Sequence, residues 1–236
     1  MQVWRSTLMK FLYICGDSFA FSDPEYGLCW VDVLAQQLKG NYFVKNLSRV
    51  CASNLQIAAQ IDCAINAHAD FIIYLMTTST REEVKHTEKI SESIYNRFTD
   101  ITNQQAHTDI TSYSVFSLDQ TTILNSQQLC LLKKYHTEFF DIDLTIYKNE
   151  LIIEGVLSRL EQSNIKFVFD QGGFENSKFT GTKDKVYFAK YLKHKSAINL
   201  WNFVHDKKHR PYYHIDNETI HYSVSEYYFN LINEQT

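Results

Sequence analysis

The chain has 236 residues, a length that a single α/β core fills before it divides into domains. With 44% hydrophobic and 21% charged residues, two prolines and seven glycines, it is neither collagen-like nor of the Pro/Gly-rich disordered kind. Its net charge of −4 argues against a protein whose main task is to neutralise phosphate backbones, so no nucleic-acid partner is expected. Five cysteines (Cys15, Cys29, Cys51, Cys63, Cys130) form an odd set without C-x-x-C spacing, which suits reduced thiols packed in a core better than disulfides or zinc. The apolar run from Phe11 to Cys15 is too short to cross a membrane, and no cleavage pattern follows it. The sequence therefore predicts a cytoplasmic chain without a membrane partner. A phage or virion component made in the same compartment would carry the same signature.

Met9 to Cys15 is a nearly continuous apolar run closed by Gly16-Asp17-Ser18, the pattern of a strand buried on both faces of a parallel sheet. Trp30, Val31, Val33, Leu34 and Leu38 recur at helical spacing and stop at Gly40-Asn41. Asn41 to Leu47 is a second strand; Ser53 or Asn54 caps a helix carrying Leu55, Ile57, Ala58, Ile61 and Ile65. Asp70 to Met76 is the most hydrophobic strand and runs into Thr77-Thr78-Ser79-Thr80. Residues 81–147 are polar with weak helical periodicity (Ile90, Ile94, Phe98; Leu124, Leu129, Leu131, Leu132) and lack Gly and Pro, so a mainly helical insertion is predicted. A helix from about Thr145 to Gln162 and a fourth strand, Ile165 to Phe169, restore the alternation. Lys183 to Lys195 is expected to be a solvated face with Tyr187, Phe188 and Tyr191 inward, and Val224 to Ile232 a closing helix. The whole, 1–236, is read as one three-layer α/β/α sandwich with a mainly parallel, flavodoxin-like sheet. In such sheets, sites gather at the strand carboxyl ends.

Two segments there carry chemistry. Ser18 sits in the turn after the first strand, where glycine permits a tight backbone and neighbouring amides stabilise negative charge. Far along the chain, His214-Ile215-Asp216-Asn217-Glu218-Thr219-Ile220-His221 sets acids and a histidine on a predicted loop ahead of the last helix. An imidazole near a serine takes its proton, and a carboxylate on the other ring nitrogen fixes the tautomer. Glu218, three residues before His221, is the first candidate for that role and Asp216 its rival. His194, His205, His209 and His214 lack the compact spacing of a metal site, and no nucleotide loop is present, so neither metal nor cofactor is expected.

Four blocks together resemble the SGNH, or GDSL-type, hydrolases: G-D-S-F-A, N-L-S-R-V-C-A-S-N, the turn after D-F-I-I-Y-L-M, and E-T-I-H-Y-S-V-S-E-Y-Y-F. The resemblance spans most of the chain and leaves out the insertion. It implies a flavodoxin-like sandwich acting as esterase, lipase, thioesterase or carbohydrate deacetylase, with Ser18 as nucleophile, His221 as general base and Glu218 in the place of an aspartate. Two blocks depart from the pattern. Cys51 stands where a glycine usually offers an oxyanion amide, and Thr77-Thr78-Ser79-Thr80 replaces G-x-N-D. The expected oxyanion donors are therefore the amides of Ser18 and Cys51, helped by Ser79 or Thr78 hydroxyls or the Asn54 amide; one such donor is worth about a hundred- to a thousandfold in rate. Asp17, Thr78 and Arg81 are expected to meet substrate, Arg81 through an anionic group unless it pairs with a neighbour such as Glu82. The implied partner is a small-molecule or carbohydrate acyl ester. The competing expectation is a lapsed member of the fold that binds without turnover.

Overall fold

The computed structural model describes residues 9–22, 28–50, 52–79, 81–85, 110–114, 126–170, 194 and 218–235. Its centre is a four-stranded sheet built from β1 (Lys10–Cys15), β2 (Tyr42–Asn46), β3 (Phe71–Leu75) and β6 (Lys166–Asp170) in the order β2-β1-β3-β6. Every pairing is parallel, with Leu12 opposite Val44 and Phe71, and Phe71 opposite Lys166. Side chains alternate across a strand, and here both faces are covered. Leu12 and Ile14, with Phe71, Ile73 and Leu75, face a core completed by α1 (Trp30–Gln37) and α5 (Glu218–Gln235). Tyr13 and Cys15, with Ile72 and Tyr74, face a second core under α2 (Asn54–Asn66) and α4 (Ile142–Ser163). That double burial is why these strands read as continuous apolar runs. The order is that of a doubly wound sheet, whose chain leaves β1 outward to β2 and then returns to β3 on its other side. The three-layer α/β/α sandwich follows from this topology directly.

Local signals set the helices. Ser53 caps α2: its hydroxyl accepts from the Gln56 amide while its own amide donates to the Gln56 side chain, at 3.2 and 3.0 Å. Asp141 caps α4 by accepting from the amides of Asp143 and Leu144, and Asn164 ends that helix in the left-handed region, φ 58°. On α5, Ile220, Val224, Tyr228 and Ile232 recur every fourth residue and are all buried.

Three expectations change. The insertion begins in strands, β4 (Arg81–Lys85) antiparallel to β5 (Ile110–Ser114), before the helix α3 (Ser126–Glu138). Ile110, Thr111 and Tyr113 are β-branched or aromatic, a preference for extended backbone that weak helical spacing does not outweigh. The closing helix starts at Glu218, six residues before the predicted Val224, so His221 lies in a helix turn and not on a loop. Among the thiols, Cys15 and Cys29 are buried, Cys63 is partly covered and Cys130 is exposed, so core packing accounts for only part of the set. Ile90, Ile94, Phe98, Leu124, residues 183–193 and His205, His209 and His214 lie outside the described residues.

Candidate active site

The carboxyl end of β1 lies at the switch point of the sheet, and the chain there is tightly held. Gly16 donates its amide to Gln60 Oε1 at 2.8 Å and accepts from Gln60 Nε2 at 3.1 Å. A side chain at Gly16 would bring its Cβ within 2.9 Å of Leu75 Cβ on the neighbouring strand, so glycine is needed here for close approach. Asp17 to Ala20 then form a turn closed by the Ala20 amide on the Asp17 carbonyl at 3.2 Å. The Asp17 carboxylate stiffens it by accepting from the Phe19 amide at 3.0 Å. Ser18 rides on this turn, partly exposed. At the end of the second strand, Asn46 donates to the Ala20 carbonyl at 2.6 Å and accepts from the Ser48 amide at 3.0 Å, tying the first two blocks together.

Asp17 is fully buried, and its remaining oxygen receives the Thr77 hydroxyl at 2.7 Å and Arg81 Nη1 at 3.3 Å. Arg81 Nη1 also donates to the Ala52 carbonyl at 2.7 Å. These contacts bear on two expectations. Asp17 is turned inward rather than toward solvent, and Arg81 takes the ion-pair alternative, with Asp17 as a carboxylate partner. Charge taken out of water in this way must be matched by an opposite charge and hydrogen bonds, which the network supplies.

Asn54 is corrected as well. Its side-chain amide donates to the Thr77 carbonyl at 3.1 Å and to Asn149 Oδ1 at 3.0 Å, and its oxygen accepts from the Thr77 amide at 3.0 Å. Both amide hydrogens are thereby spent on the turn after β3, so Asn54 is a brace for that turn and not an oxyanion donor. Asn149 extends the brace to the Ser79 and Thr145 carbonyls, at 3.1 and 3.0 Å. Ser79 is buried, and Thr78 is partly so. Cys51 and Asp216 fall outside the described residues, and of Glu218 only the helical backbone is described.

The other half of the site arrives through Trp30, the first residue of α1. Its indole N–H donates to the Phe19 carbonyl at 2.8 Å, and its backbone N–H donates to His221 Nδ1 at 2.9 Å. Its ring stacks on Tyr228 of α5 with centroids 5.0 Å apart, and the Tyr228 hydroxyl donates to Asp170 Oδ2 at 3.2 Å at the end of β6. Asp32, near the start of the same helix, accepts from Ser22 Oγ at 2.6 Å and from the Cys29 amide at 3.3 Å. One residue thus joins the serine turn to the histidine helix, although 191 positions separate Trp30 from His221. Sequence reasoning placed Trp30 only as an apolar helix position. The signal for Asn149 was available, as a polar residue four places before Ile153 on the buried stripe of α4.

Among the described residues, no group of three or more His, Cys, Asp or Glu side chains gathers as a metal site would, and no helix is long and apolar enough to cross a membrane.

Fold and site together define a doubly wound α/β/α domain with a serine turn at its switch point and a histidine brought up beside that turn's carbonyl partner. No family model matches the chain, and no curated protein matches it. Among solved structures it is similar to TesA, with 10% identity over 96% of this chain and 100% of that one and a TM-score of 0.48. It is similar to the esterase AlinE4, with 11% identity over 97% of each chain and a TM-score of 0.42. A protein of the G-D-S-L family from Desulfitobacterium hafniense DCB-2 shows 15% identity over 94% and 99%, with a TM-score of 0.32.

Proposed function

We propose that the chain is a divergent serine ester hydrolase of the SGNH kind. The observation that supports this reading is that one residue, Trp30, bonds both the Ser18 turn, through its indole, and His221, through its backbone. In the proposed reaction Ser18 Oγ attacks the acyl carbonyl, and His221 Nε2 takes the serine proton. The new C–O bond forms as the carbonyl electrons move onto oxygen, where the amides of Ser18 and Cys51 hold the charge, with Ser79 or Thr78 hydroxyls as further donors. Collapse breaks the ester bond, and His221 returns its proton to the departing alkoxide. Water then attacks the acyl-serine by the same route and releases the carboxylic acid. Glu218, or Asp216, is the proposed acid leg. Small or carbohydrate acyl esters are the proposed substrates, acetyl groups on sugars included.

A second reading, a binding module without turnover, draws support from two features. Nδ1 of His221 is occupied by the Trp30 amide, and the amide of Asn54 is consumed in bracing a turn. A fluorophosphonate probe separates the two readings. The hydrolase predicts an adduct on Ser18 that is lost in Ser18→Ala, together with hydrolysis of a short-chain aryl ester by the unmodified chain. Folded protein that neither labels nor hydrolyses establishes the binding module instead.

A further inference from the structure

His221 is buried in the first turn of α5, and its Nδ1 accepts the backbone N–H of Trp30. Trp30 opens α1, a helix of eight residues, so this N–H is one of the donors that a helix start leaves without an intrahelical partner. It points at the imidazole from the positive end of the helix dipole. A ring nitrogen that accepts a hydrogen bond carries no proton, and a neutral imidazole has only one, which must then sit on Nε2. A serine–histidine–acid relay needs the reverse arrangement: Nδ1–H donating to the acid and Nε2 bare to receive the serine proton.

We infer that Trp30 is a positioning residue that acts through its backbone amide, holding His221 at rest as the Nε2–H tautomer. In this state the imidazole is a hydrogen-bond donor, of the kind that polarises an acceptor oxygen, and not a base. The inference deepens the hydrolase reading and rests on it for its catalytic meaning. The ring becomes the base for Ser18 only by leaving the Trp30 amide, releasing its Nε2 proton to water and taking one from water on Nδ1, with an acceptor such as a carboxylate opposite it. The amide that assembles the site thus also holds it off. Removing the acid leg matters only in the turned state.

The test uses the unmodified full chain, uniformly labelled with nitrogen-15, at neutral pH. The expected spectrum shows a scalar coupling across the hydrogen bond between the Trp30 amide nitrogen and Nδ1 of one histidine. The same histidine should show Nδ1 in the unprotonated range and Nε2 in the protonated range. His221 is assigned among the nine histidines by the ring resonances that disappear in His221→Gln, so that an absent coupling also overturns the inference. A protonated Nδ1 on His221 overturns the inference whether or not Ser18 labels with fluorophosphonate. An Nε2–H tautomer in a protein whose Ser18 does not label upholds the inference and removes the hydrolase reading, so the two fail separately.

Discussion

Replacing Asp17 by alanine tests the claim that this residue is internal architecture rather than a substrate contact. The carboxylate accepts from the Phe19 amide, the Thr77 hydroxyl and Arg81 Nη1, and it is wholly shielded from water. Its loss leaves the Arg81 guanidinium, itself 6% exposed, without its buried counter-charge. Breaking one half of such a pair removes about 3–5 kcal/mol, a large share of the roughly 5–15 kcal/mol that holds a domain together. Arg81→Met should destabilise for the complementary reason. Urea unfolding followed by circular dichroism on both single variants and the double variant gives the coupling. The double variant should lose less than the sum of the singles, by about 1–3 kcal/mol, because the second substitution removes a charge the first had stranded. A loss below about 1 kcal/mol in Asp17→Ala, or strict additivity, refutes the buried-pair argument. A stable Asp17→Ala whose only defect is a raised KM would restore the sequence expectation of a substrate contact.

Two further outcomes follow from particular atoms. Gly16→Ala should destabilise by about 1–3 kcal/mol, because the added methyl meets Leu75 Cβ at 2.9 Å and forces β1 from β3; an unchanged thermal midpoint would show the strands free to part. Burial pushes the Cys29 thiol from its ordinary 9.0 up to about 12. The folded state thus holds a proton that the unfolded chain releases. The stability this contributes is complete below pH 9 and is lost as pH rises toward 12. The urea midpoint of Cys29→Ala should accordingly fall less steeply over that range than the unmodified protein's; parallel slopes would place the thiol in contact with water.

The parts of the fold legible in the sequence are those that local pattern determines. β3 announces itself because all five residues are buried, and Ser53 with Gln56 marks a helix start by spacing alone. The boundary of α5 was missed because Glu218 to Ser223 is polar apart from Ile220 and Tyr222 and hides Ile220, the first of its buried stripe, among polar neighbours. The strands of the insertion escaped because their pairing, Arg81 to Ser114 and Lys85 to Ile110, joins segments far apart in sequence. At the site, the residue types Ser18 and His221 were visible from the turn and the four blocks. Their connector was not, since the donor to His221 is a backbone N–H, which every residue except proline possesses and no letter advertises. The inward bonding of Asp17 and Asn54 was illegible for a related reason. A polar residue at a strand end suggests ligand contact, and only burial reveals that its hydrogen bonds turn inward.

Gln60 carries an implication of its own. Its carboxamide faces Gly16 as a peptide unit of an adjacent chain would, offering one oxygen and one N–H to the two main-chain groups that the departing strand leaves behind. Glutamate at that place would answer two acceptors' worth of oxygen to a carbonyl, methionine would answer neither group, and asparagine falls one methylene short. The helix thus lends a side-chain amide to a strand end in place of a peptide bond, as Asn54 does to Thr77. Position 60 admits one side chain, and a mutational scan should find it as intolerant as the glycine it serves.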